Sequence, residues 1–174
     1  MKRLCLLALL ACARVSEAQS LAIEGAVGPT VVDQGYSVAA GAGLAASRVS
    51  ALASYERTHL TSRLRTDGRD GVAGFRGGTL HLASARVAIT VFDRGRLRPY
   101  ALAGFAAGVS RPNVSALFPD RITNSVRAIF FGGGVRVPLS ARLSVVVDGR
   151  LMVGSEAGEL LAVAPIRGGL AWRF

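Results

Sequence analysis

From Leu143 to Val153 apolar and polar residues alternate. Leu143, Val145, Val147, Leu151 and Val153 fall on one face together with Gly149, while Arg142, Ser144, Asp148 and Arg150 fall on the other. A helix would mix these sets; an extended strand separates them. The same period of two, broken by clusters of Gly, Pro, Asp, Asn and Ser, predicts seven further strands. They run from Leu21 to Val31, Tyr36 to Ala46, Val49 to Leu60, Thr79 to Val91, Leu97 to Val109, Val126 to Val137 and Leu160 to Phe174. The chain is therefore all-β.

Each strand is long enough to cross a bilayer at a tilt of about 45°, and eight is the smallest strand number that transmembrane barrels commonly use. The connections sort by parity, as they do in a barrel with short turns on one side and long loops on the other. Tight connections lie around Ser47 and Arg48, at Asp93 to Arg96 and at Pro138 to Ala141. The alternate set holds the two longest, Thr61 to Gly78 and Arg111 to Ser125, with shorter ones around "DQG" and "SEAGE". The pattern predicts an eight-stranded antiparallel up-and-down transmembrane β-barrel.

The two faces differ in a way that sets the barrel inside out relative to a soluble one. One face carries Glu24, Ser54, Glu56, Ser84, Arg86, Arg98, Arg136, Asp148, Arg150 and Arg167. The other carries Ile23, Val27, Val38, Leu44, Ala51, Tyr55, Val87, Ile89, Val91, Phe105, Val109, Ile129, Phe131, Val135, Ile166, Leu170 and Trp172. An eight-stranded barrel has room inside for side chains but not for a wide aqueous pore. The mixed-sign set is therefore assigned to the lumen and the apolar set to lipid. Unpaired ions away from water are costly, so Glu24, Glu56 and Asp148 are expected to pair with Arg86, Arg136, Arg150 and Arg167, whose guanidinium forks suit carboxylates.

The N-terminus stands outside this pattern. Met1, Lys2 and Arg3 precede the apolar run "LCLLALLACA", and "VSEAQS" supplies small residues at Ser16 and Ala18. This reads as a secretory signal peptide, residues 1–18, cleaved after Ala18 to leave a barrel domain of residues 19–174. The run is shorter than the roughly 20 residues of a membrane-spanning helix. Cys12, in "LLAC", offers an alternative lipoprotein-type cleavage. Cleavage after Ala18 removes Lys2, Arg3, Arg14 and Glu17, which lowers the formal charge from +10 to +8, and it removes both cysteines, Cys5 and Cys12. No disulfide or thiolate metal site is then expected in the mature chain.

"RPYALAGFAAG" at 98–108, "FFGGGVRVPLSARLSVVVDGRL" at 130–151 and the terminal Phe behind alternating apolar residues resemble the small eight-stranded outer-membrane barrels of the OmpA/OmpX type. The resemblance covers essentially the whole mature chain. It implies that Ile166, Leu170, Trp172 and Phe174 form the C-terminal signal read by the barrel-assembly machinery, with Gly168 departing from the pattern. It also implies an integral location in the bacterial outer membrane. The peptidoglycan-binding domain of the full-length OmpA-type proteins is not expected after the eighth strand.

Candidate chemistry changes this picture little. His59 with Ser62, and His81 with Ser84, are each three residues apart, which puts each pair on opposite faces of a strand; a His and Ser on one lipid-facing wall, as in barrel deacylases, is not formed. No HExxH or Cys/His metal cluster is present, and "GFRGG" and "FFGGGV" do not join a strand to a helix, so a phosphate loop is excluded. No catalytic role and no cofactor are expected. The basic surplus of an exported barrel points to anionic lipid and not to nucleic acid: Arg63, Arg65, Arg69 and Arg76, against Asp67 and Asp70, are candidate contacts for lipopolysaccharide phosphates. The sequence thus predicts a monomeric outer-membrane barrel with a structural or surface-interaction role and a lumen filled by charged side chains. Two alternatives stay open, a pore for small solutes or ions and a secreted soluble barrel of lipocalin type.

Overall fold

The computed structural model describes residues 19–31, 34–61, 64–66, 73–75, 77–93, 95–117 and 119–174. Among the described residues there are eleven strands: β1 (Ser20–Thr30), β2 (Gly35–Ala45), β3 (Val49–Leu60), β4 (Leu64–Thr66), β5 (Ala73–Phe75), β6 (Gly78–Thr90), β7 (Arg98–Pro112), β8 (Asn124–Pro138), β9 (Leu143–Glu156), β10 (Glu159–Val163) and β11 (Ile166–Arg173). The main sheet runs β10-β9-β11-β1-β2-β3-β6-β7-β8, and β8 pairs again with β9, so the sheet closes on itself. All its pairings are antiparallel.

β10 and β11 are one wall of the barrel, which makes eight in all. The sequence pattern predicts a single strand from Leu160 to Phe174; the structure interrupts it at Ala164 and Pro165. Proline has no N–H to give the ladder, yet its carbonyl still accepts from the Arg150 N–H at 3.2 Å. The register does not slip across the gap, since Val163 lies opposite Met152 and Ile166 opposite Gly149. The predicted connection from Thr61 to Gly78 also differs in detail, because β4 and β5 pair within it as a separate hairpin. That ladder gives backbone N–H and C=O groups partners beyond the barrel rim.

Closure is made by β1 and β11, in register from Ala22 opposite Arg173 to Val27 opposite Gly168. The Phe174 N–H donates to the Leu21 carbonyl at 2.9 Å, and the Arg173 N–H to the Arg142 carbonyl at 2.8 Å. The last residues are thus held from both sides and the barrel sheet is closed at this seam. The turns after β2, β6 and β8 gather with both strand termini at one end, here the turn end. The opposite, loop end carries the β4–β5 hairpin, the connection from β7 to β8 and a two-residue turn at Ala157 and Gly158. Both turn residues have positive φ, 52° and 88°, the geometry of a type I′ hairpin.

The exposed and buried sets are inverted relative to a soluble protein. Phe105 is 63% exposed and Ile129 65%, whereas Glu56 is 0% and Asp148 2%. Large apolar side chains cover the outer wall on every side, among them Ile23, Val38, Leu44, Ile89, Phe131, Val147 and Leu170. Contiguous apolar surface on that scale suits a non-aqueous surrounding.

Candidate functional site

The lumen is where charge collects. Glu24 from β1, Glu56 from β3, Arg86 from β6, Asp148 and Arg150 from β9 and Arg167 from β11 occupy inward positions of their strands, since each shares phase with buried neighbours along the same strand. Glu56 is the hub. It pairs with Arg150 and with Arg167, the latter at 3.3 Å. Its other oxygen accepts from the Ser37 hydroxyl at 2.8 Å and the Thr58 hydroxyl at 3.0 Å. Asp148 accepts from two nitrogens of Arg167, at 3.2 and 3.0 Å, and from the Tyr100 hydroxyl at 3.4 Å. Arg86 closes the set, donating to Glu24 at 2.5 Å and standing 3.5 Å from Asp148. Three carboxylates therefore meet three guanidiniums, a set that is neutral when all six are ionised.

Arg136 stands apart from these six. Its guanidinium lies 5.7 Å from the centre of the Tyr100 ring, and among the described residues no carboxylate pairs with it. Ser37, Thr58 and Tyr100 belong to the network although charge patterning alone does not single them out. The signal for them was parity: each shares the inward phase of its strand. Farther toward the loop end the Ser110 hydroxyl donates to buried Glu156. Ser54 and Ser84 bond to each other at 2.7 Å.

Beside these polar groups the lumen holds a large apolar cluster. Leu60, Leu80, Leu82, Ala88, Tyr100, Leu102, Ala106, Val126, Ala128, Phe130, Met152, Leu161 and Val163 form one buried cluster. In these strands both faces carry apolar residues, so alternation by polarity is muted and parity alone reveals the inward set. Leu80 and Leu82, for example, share phase with Ser84 and Arg86. Close packing explains two glycines here. A Cβ on Gly104 would lie 2.6 Å from Phe130 Cζ, and one on Gly134 2.8 Å from the Tyr100 hydroxyl oxygen. Between Glu24, Ala26, Ala39, Gly41, Leu52, Arg86 and Arg167 there remains a cavity of about 10 Å³, room for about one water.

The outer wall carries the histidines. His81 points outward and its Nδ1 lies 2.6 Å from the Tyr55 hydroxyl, while Ser84 points into the lumen. His59 packs against Tyr36, ring centres 5.3 Å apart. Arg57, Arg111 and Arg127 project outward near the loop end, on the same side of the wall as these aromatic rings. Of the arginines expected to meet lipopolysaccharide, Arg63, Arg69 and Arg76 lie outside the described residues, as do Asp67, Asp70, Ser62 and the predicted signal peptide; Arg65 is described only as backbone of β4. Ile166, Leu170, Trp172 and Phe174 all face outward at the turn-end half of the closing wall. Among the described residues no group of three or more His, Cys, Asp and Glu side chains is placed to hold a metal ion.

No family profile matches the chain, and no curated protein matches it in sequence. Solved structures do match it in shape. Neisserial surface protein A superposes with a TM-score of 0.70 at 11% identity, over 91% of this chain and all (100%) of the other. The N-terminal β-barrel domain of Pseudomonas aeruginosa OprF gives 0.63 at 15% identity, over 89% and 97%. Ail of Yersinia pestis, crystallised with the heparin analogue sucrose octasulfate, gives 0.50 at 15% identity, over 91% and 99%. The fold is that of the small eight-stranded outer-membrane β-barrels.

Proposed function

We propose that this chain is an integral protein of the bacterial outer membrane with a structural or surface-interaction role and no catalytic one. It sits with the turn end toward the periplasm and the loop end at the cell surface. The observation that carries this reading is the inverted distribution of side chains, with Phe105, Ile129 and Phe131 exposed and Glu56, Asp148 and Arg150 buried. Lipid satisfies the outer wall, and the closed sheet satisfies every backbone group across the hydrocarbon. The ionic network and the apolar cluster together form a plug, so the barrel does not conduct. Arg57, Arg111 and Arg127, above the apolar band on the outer wall, with Arg63, Arg65, Arg69 and Arg76 of the longest connection, meet the phosphates of lipopolysaccharide through guanidinium forks. Ile166, Leu170, Trp172 and Phe174 address the chain to the barrel-assembly machinery.

Gel mobility and conductance test the two halves of the proposal. The mature chain refolded in detergent is expected to migrate differently in dodecyl sulfate before and after boiling, because a closed barrel resists the detergent until heated. Identical mobility would overturn the membrane-barrel reading. In planar bilayers the same material is expected to show no stable discrete conductance; a reproducible single-channel step would overturn the plug and favour a pore.

A further inference from the structure

The turn end of the lumen holds a second group of arginines with a different environment. Arg98 shares phase on β7 with Tyr100 and Leu102, Arg136 on β8 with Ala128 and Phe130, and Arg173 on β11 with Arg167 and Ala171, all of them buried. Alternation therefore turns all three arginines inward. Arg98 and Arg136 lie directly opposite each other across the β7–β8 ladder, a placement in which like charges repel. Both lie within electrostatic reach of Arg173. The Nε atoms of Arg98 and Arg136 are buried without a hydrogen-bond partner. Among the described residues no carboxylate, the C-terminal one of Phe174 included, forms an ion pair with any of the three. Asp93, the acid of the neighbouring turn, is held by Arg48 at 3.1 Å.

In the middle of the lumen three arginines are neutralised by three carboxylates; at this mouth three arginines face one another with none. All three are half-buried, so a solute can reach them. We propose that the turn-end mouth is an anion site that takes a phosphate group. A carboxylate presents its two oxygens in one plane, whereas a phosphate group presents its oxygens tetrahedrally and can meet guanidinium forks that arrive from different directions. The phosphate comes either from a phospholipid headgroup of the adjacent leaflet or from a free phosphate in solution. The site stands on the lumen geometry alone; only the lipid source rests on the membrane reading above.

The test uses the mature barrel refolded in nonionic detergent and unfolded by urea, in chloride or in inorganic phosphate at matched ionic strength. Phosphate should raise the urea midpoint of the unaltered chain. The double variant Arg98→Gln, Arg136→Gln should lose that rise and should itself have a higher midpoint than the unaltered chain in chloride, because the opposed charges are gone. Arg96→Gln and Arg142→Gln, exposed basic residues of the turns, should keep the phosphate effect in full. A phosphate effect that is absent from the unaltered chain, or that survives in the double variant, overturns the site. If the double variant does not refold, Arg173→Gln at the end of β11 is titrated with phosphate by its phosphorus resonance; binding as tight as in the unaltered chain overturns the site, and weaker binding supports it. Vesicles of phosphatidylglycerol against vesicles of a neutral glycolipid then separate the sources. An arginine-dependent gain in phosphatidylglycerol identifies the headgroup, and a gain seen only with added phosphate identifies the free ion.

Discussion

On the side of the lumen lined by β1, β2 and β11 the inward positions carry Ala22, Ala26, Ala39, Gly41 and Ala171, and the long side chains of Arg86 and Arg167 take up the space beside them. On the side lined by β6, β7, β8 and β10 the inward positions carry Leu80, Leu82, Leu102, Phe130, Leu161 and Val163, which fill the space themselves. Small wall residues thus leave room for long charged side chains, whereas Leu80, Leu82, Leu102 and Phe130 fill the lumen on the loop-end side of the inward arginines of their own strands, Arg86, Arg98 and Arg136. The difference lies in how each filling tolerates change. Apolar packing loses about what the removed atoms contributed plus the cavity they leave. An ionic filling works only as a closed set, because each charge left unpaired has been taken from water with nothing in return.

The sharpest break in the comparison is at Glu56. Glu56→Gln keeps the shape but leaves Arg150 and Arg167 short of a counter-charge and changes the acceptor of Ser37 and Thr58. The expected cost is about 3–5 kcal/mol, read as a fall in the urea midpoint of the barrel refolded into vesicles. Adding Arg150→Met should recover part of that loss, since the stranded guanidinium goes with it. A double variant as unstable as the sum of its singles would show that the network is not a closed set.

On the apolar side Leu82→Ala should cost less, on the order of 3 kcal/mol, and no second truncation nearby should recover it. Leu82 is fully buried within the cluster and carries no partner that could be stranded. Recovery by a neighbouring truncation would erase the distinction between the two fillings.

The fold was largely legible in the sequence because period-two alternation is a direct record of which side of a strand each residue faces. The eight walls and the sorting of short and long connections follow from it. The break at Pro165 was also written there, since a proline cannot donate to the ladder, yet the apolar residues on either side masked it. The lumen was legible only where its residues are charged. Glu24, Glu56, Arg86, Asp148, Arg150 and Arg167 contrast with the apolar outer face, whereas Leu80, Leu82, Phe130 and Met152 do not, so in β6, β8 and β9 polarity marked the inward phase only at the charged positions and left the apolar lumen cluster unmarked. Arg136 shows the remaining gap. Parity placed it inside, but its height along the lumen depends on the stagger between strands, and that sets it beside Tyr100 and Arg98, away from Glu56.

The two fillings meet at Arg150 and Phe130, whose guanidinium carbon lies 4.5 Å from the ring centre. Arg150 belongs to the ionic set through Glu56, and Phe130 to the apolar cluster. If the seam carries coupling, it does so through attraction between a desolvated cation and the ring face, worth roughly 1–2 kcal/mol when buried. Phe130→Leu keeps an apolar side chain over Gly104 but removes the ring. Its cost, beyond the loss of area, should therefore shrink by about 1 kcal/mol when Arg150 is already replaced by Met, the smallest of these effects and measurable only as a double-mutant cycle. A strictly additive cycle would mean that the ionic and apolar halves share a boundary without sharing energy, and each could then be redesigned without regard to the other.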